Sequence, residues 1–292
     1  GAQSDTTPYT IPNTQATTYN QQGNAKLVAA WRAQHPGIVI AGNNNYWAVG
    51  SVSGGGVTLD SSNAGLDDYA FVEQVEGDMP YYTASQLFNM VKQEESLVSS
   101  TGTVVVGNYF NGSGGAGVSW TSGAQSTWTT AGGQWQVARA MAAMAAMRNW
   151  TWGPGTGAGN VLYWFDEYQQ GIGSFNGSPG APGWLSRGTQ RLDPPQNCPS
   201  SPITLTGTGN LAGVCVRRFP GGWVIWNRYG NGPVTITSIP STLFRLTNIS
   251  SSTGDPTINT GAQVTGGSVT LGDTCGPSNE ACGDGLFLIG TG

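Results

Sequence analysis

Between residues 24 and 168, apolar β-branched runs alternate with amphipathic segments; from about residue 200 that alternation gives way to short period-two runs punctuated by Gly and Pro. A chain can re-enter a sheet in parallel only through a crossover, commonly a helix. The first pattern therefore predicts a parallel α/β sheet with right-handed connections. The second, in LAGVCVRRF, GGWVIWNRY, GPVTITSI, STLFRLTN, GGSVTLG and GLFLIG, predicts an antiparallel β domain. Helices are expected over three stretches. The first is 24–37, with Leu27, Ala30 and Trp31 on one face and Pro36-Gly37 as the stop. The second is 83–100, capped by Thr83 and lined by Leu87, Met90, Val91 and Leu97. The third is 133–150, whose Ala and Met content suits a buried, closely packed helix. Strands are expected at 38–47, 69–72, 103–112 and in VLYWFDEY, which begins at Val161. Residues 1–18 show no period and read as an extended arm, and 179–202 reads as the hinge between the two patterns.

Charged residues make up 9% of the chain, against about 25% in an ordinary soluble domain. Gly, Ser, Thr and Asn fill the surface instead, which suits an extracellular or cell-surface protein. The net charge of −5 comes with no basic stripe, so nucleic acid is not an expected partner. No apolar run reaches the ~18 residues of a membrane span. No leader is read either, so an exported chain would already have lost it. The four cysteines, Cys198, Cys215, Cys275 and Cys282, lack CxxC spacing and stand apart from the sole histidine, His35. That pattern argues against a zinc site. Of three possible disulfide pairings, Cys198–Cys215 with Cys275–Cys282 is the first choice, with four free thiols as the alternative. No P-loop or dinucleotide fingerprint is present, so no cofactor is expected.

Carboxylates are the remaining candidates for chemistry. The run Tyr69–Val72 delivers Glu73, and VLYWF delivers Asp166 and Glu167. A glycosidase needs one carboxylic acid to protonate the leaving oxygen and one carboxylate to attack or to activate water. An aromatic setting such as Phe71 or Tyr163-Trp164-Phe165 is what raises the pKa of such an acid. The plainer reading makes Asp67, Asp68, Asp166 and Glu167 capping or solvent-facing acids. At the same strand ends Asn44, Tyr46, Trp47, Asn108, Tyr109 and Trp164 are candidates for sugar contacts. The 112–132 loop has a length associated with function. A lectin-like binder would stack sugars on Trp47, Trp120, Trp128 and Trp135. His35 sits at a helix end beside Pro36 and is expected to be a surface residue.

The order LDDYAFVEQVE, TVVVGNYFN, ARAMAAMAAMRNW, VLYWFDEY and VCVRRFPGGWVIWNRYGNGPVTI, over roughly residues 20–245, resembles a group of glycoside hydrolases. These pair a (β/α)8 barrel with a small C-terminal β domain, in the style of endo-α-1,4-polygalactosaminidases. The resemblance maps a strand glutamate of that group onto Glu73, and it maps a strand pair of the form RxFexGxVlvN onto RRFPGGWVIWN. It implies an α/β fold: a barrel-like domain over 19–190 and an antiparallel β-sandwich over 191–292. A (β/α)8 barrel usually takes ~250 residues, and about 180 precede the β domain here. The upstream strand that carries the partner aspartate has no counterpart in this sequence. The expected barrel is therefore partial or atypical, or is completed by a second chain. The function implied is polysaccharide hydrolysis, with carbohydrate as partner. The alternatives are a non-catalytic structural subunit that self-assembles through its arm (a filament, sheath or virion protein) and a glycan-binding module.

Overall fold

The computed structural model describes residues 13–43, 65–72, 82–110, 131–156, 193–199, 201–219, 221–248, 257–275 and 280–290. These form a mixed α/β fold in two compact units, one of residues 1–72 with 90–104 and the other of 73–89 with 105–292. The division runs through a strand, Val98–Phe110, rather than through the 179–202 segment.

In the first unit, helix α1 spans Asn13–Gln34. It begins inside the segment expected to be an extended arm. No glycine or proline lies between Pro12 and Gly23, so nothing local stops the helix from reaching back through this polar stretch. Its far end stops before Pro36-Gly37, and Gly37 takes a positive φ of 91°. Strand β1 (Ala41–Asn43) pairs in parallel with β2 (Asp67–Val72), Asn43 lying opposite Phe71. The order continues from β2 to β3 (Val98–Phe110). Asp68 ties the amino ends together. It accepts from the Ile40 N–H at 2.9 Å and from Arg32 Nη2 of α1 at 3.1 Å.

Helix α2 (Ala84–Gln93) opens with a reciprocal cap: Thr83 Oγ1 accepts from the Gln86 N–H, and Gln86 Oε1 accepts from the Thr83 N–H. Leu87, Met90, Val91 and Leu97 are all buried, as their spacing predicts. The expected helix to residue 100 ends early. After a 3-10 turn at Glu94–Ser96, β3 already begins at Val98. The run VSSTGTVVV is rich in β-branched residues and poor in helix formers, which favours strand.

In the second unit, the later part of β3 pairs in parallel with β4 (Thr151–Thr156), from Val105 opposite Thr151 to Phe110 opposite Thr156. The sequence reading did not assign this strand. Its Gly153-Pro154-Gly155 suits only a strand at the edge, and β4 ends the strand order. Among the described residues no barrel closes; VLYWFDEY lies outside them.

Helix α3 (Ala131–Met147) is buried around its circumference from Val137 to Met147, apart from a partly exposed Ala146. The remaining strands are β5 (Gly207–Thr208), β6 (Val214–Phe219), β7 (Gly222–Asn227), β8 (Val234–Ile236), β9 (Phe244–Arg245), β10 (Val269–Leu271), β11 (Thr274–Cys275), β12 (Glu280–Ala281) and β13 (Asp284–Ile289). RRFPGGWVIWN forms the expected antiparallel hairpin, β6 with β7, Phe219 opposite Gly222. The main sheet runs β6-β7-β13-β9 and a second runs β10-β8-β5. Val214, Val216, Trp223, Ile225, Leu286 and Leu288 meet Val234, Ile236, Val269 and Leu271 in one core between the two sheets.

The opposite face of the main sheet receives α3. VCVRRF and GWVIWN, expected from a period-two pattern to bury one face, are buried on both because α3 covers the second. Gly285 makes the close approach possible, since a Cβ there would collide with the Arg139 carbonyl of α3. Phe88 packs in tilted contacts against Trp150 and Trp226, with centroids 5.3 and 5.6 Å away.

Both disulfides form as expected, Cys198–Cys215 and Cys275–Cys282, with sequence separations of 17 and 7. The first belongs to a strap, 193–199, laid along β6. The Asp193 carboxylate accepts from Arg218 Nε, Nη2 and N–H, while the Asp193 N–H donates to the Arg218 carbonyl.

From loop length alone, removing Cys198–Cys215 by paired alanines should cost about 3 kcal/mol and removing Cys275–Cys282 about 2 kcal/mol. Urea unfolding reads this directly, and a larger loss from the shorter loop would contradict it. The buried pair Arg139–Asp284, 3.1 Å apart and 5% and 8% exposed, gives a second test. Asp284→Ala should destabilise by about 3–5 kcal/mol because it strands the guanidinium, whereas Arg139→Met with Asp284→Leu should recover most of that loss. Equal loss in the single and double variants would refute this account.

Candidate functional site

In parallel α/β sheets, ligand groups gather beyond the carboxyl ends of strands, where loops emerge with freedom to vary. In the first unit, β1 and β2 run in parallel and stop at Asn43 and Val72. The next residues along the chain are Asn44, followed by Tyr46 and Trp47, and Glu73. In the second unit, β3 and β4 also run in parallel. Asn108 and Tyr109 lie two residues and one residue before the end of β3, their backbones opposite Pro154 and Gly155. Asn44, Tyr46, Trp47, Glu73, Asn108 and Tyr109 therefore fall, by chain position, near or past the carboxyl ends of parallel strands. Asn44, Tyr46, Trp47, Glu73, Trp164, Asp166 and Glu167 themselves lie outside the described residues, as do Trp120 and Trp128. No separation between Glu73 and a second carboxylate is described.

The acids at the amino end of β2 serve another purpose. Asp68 staples β1 and α1. The Ile40 N–H, and then the Arg32 guanidinium, hold its carboxyl below the usual carboxylate range, against some desolvation. The Asp67 N–H donates to the Leu97 carbonyl at 2.9 Å, and its side chain is buried. Both acids belong to strand β2 itself, Asp67 buried and Asp68 tied to β1 and α1, rather than capping or facing solvent from a loop as the plainer sequence reading had it.

One carboxyl in the first unit stands out. Glu94 is 1% exposed, and its Oε1 has no hydrogen-bond partner among the described residues. Burial, with a further push from Asp67, raises its pKa from 4.5 to about 7. A poised acid is what glycoside chemistry calls for. Glu94, however, sits after α2 and has almost no surface to offer a substrate. Its effect falls on stability.

In the second unit the buried charges are also committed. Arg217, fully buried, donates through Nη1 to the carbonyls of Ala146, Met147 and Arg148 at the end of α3, and through Nη2 to Asn149 Oδ1. The Asp273 carboxylate accepts from the N–H groups of Gly230, Gly232 and Gly283. The Asp284 carboxylate accepts from the Gly272 and Gly285 N–H groups as well as from Arg139. Burial raises both carboxyls above the usual carboxylate range, yet their oxygens are occupied by main-chain N–H groups and, at Asp284, by Arg139. Sequence reasoning passed over Arg217 and the Arg139–Asp284 pair. The one signal was a doubled arginine inside an otherwise apolar strand, which demands partners for at least one guanidinium.

Past β7 the turn reaches back to the start of α2, where Arg228 Nη1 donates to Ser85 Oγ at 2.6 Å and the Tyr229 hydroxyl to the Tyr82 carbonyl at 2.7 Å. His35 is exposed at the end of α1, as expected. Among the described residues no group of three or more His, Cys, Asp or Glu side chains could hold a metal ion, and no helix is long and apolar enough to cross a membrane.

No protein-family model matches the chain, and no characterised protein or solved structure is significantly similar to it.

The raised Glu94 carboxyl makes a pH prediction. The folded state binds this proton more tightly than the unfolded chain, so its stabilising effect is complete below pH 4.5 and is lost as pH rises through about 7. Glu94→Gln keeps the shape without the charge. It should raise stability at pH 8 by up to about 3 kcal/mol and leave it nearly unchanged at pH 4. Urea titrations across that range check it; an unaltered slope between pH 5 and 7.5 would rule it out.

Proposed function

We propose that this chain is a secreted glycoside hydrolase that cleaves a polysaccharide with paired carboxylates, Glu73 acting as general acid/base. The observation that carries the reading is the parallel pairing of β1 with β2, because it makes Glu73 the first residue past the carboxyl end of a parallel strand. That is where (β/α) enzymes place catalytic side chains. Asp166 or Glu167 supplies the second carboxylate. Asn44, Tyr46, Trp47, Asn108, Tyr109 and Trp164 contact the sugar. In this reading the parallel strands belong to a partial (β/α) barrel that a second chain would complete.

Two lines of support are independent of the strands. The two disulfides fit an oxidising, extracellular setting. The low charge and high aromatic content fit a neutral, hydroxyl-rich ligand, whose ring faces stack on Trp and Tyr.

The test is release of reducing ends from a panel of polysaccharides, an α-1,4-linked galactosamine polymer among them. Glu73→Gln should lower turnover by a factor of about 100 or more while the urea midpoint stays within error of the parent. Unchanged turnover in the variant would remove Glu73 from the mechanism. A parent protein inert on the whole panel would favour the non-catalytic structural subunit, which electron micrographs of regular polymers would then reveal.

A further inference from the structure

We draw no further inference here: the strongest candidate, the exposed row of Thr208, Thr235 and Thr270 across the three-stranded sheet with Thr206 and Thr237 beside it, is an unpartnered sheet face, and nothing in the structure shows what covers it.

Discussion

A guanidinium without exposed surface holds α3 to the main sheet. Arg217 enters from β6 and donates to three successive carbonyls at the end of the helix, the groups that a helix terminus leaves without intrahelical partners. A positive charge at that end also meets the negative pole of the helix dipole. One side chain thus answers two needs: the helix gains a cap, and the arginine gains acceptors that make its burial tolerable. At the other end of the contact, Arg139 of α3 binds Asp284 and the Gly285 carbonyl of β13. Between these polar fixings α3 contributes mainly buried Ala and Met side chains.

The parts of the fold that local chemistry dictates were legible in the sequence. Thr83 and Gln86 are three residues apart and cap one another. The RRFPGGWVIWN hairpin was expected from the resemblance to a strand pair of the form RxFexGxVlvN, and β6 pairs with β7 across it. The two disulfides joined the cysteines nearest in sequence. The parts that escaped depend on distant residues. Nothing within Thr151–Thr156 suggests a strand; only its place at the end of a strand order lets Gly-Pro-Gly sit there. The start of α1 was hidden because polar residues carry no periodic signal. Glu94 falls within the stretch expected to be helix over 83–100 and carries no signal of its own there; its burial is a property of the surrounding unit.

The candidate site divides in the same way. That Glu73 follows a strand could be read from Tyr69–Val72, and β2 does end at Val72. Whether a second carboxylate stands opposite depends on the adjacency of segments far apart in sequence, which composition and spacing do not encode. Asp68, Asp193, Asp273 and Asp284 are engaged by backbone N–H groups or arginines, while Glu94 is buried with an Oε1 that has no partner among the described residues. An acid in a sequence of this kind is as readily a structural fastener as a reagent.

The strap over β6 has a bearing on assembly. A strand at the rim of a sheet normally presents unpaired N–H and carbonyl groups that can recruit a strand from another molecule. At Arg218 both main-chain groups are already taken by Asp193, and the Cys198–Cys215 disulfide fastens the strap to β6 a second time. Lateral growth of the sheet from that rim would first have to displace a covalently tethered segment. The β6 side of this sheet is therefore guarded against uncontrolled polymerisation, whatever the protein does with its other surfaces.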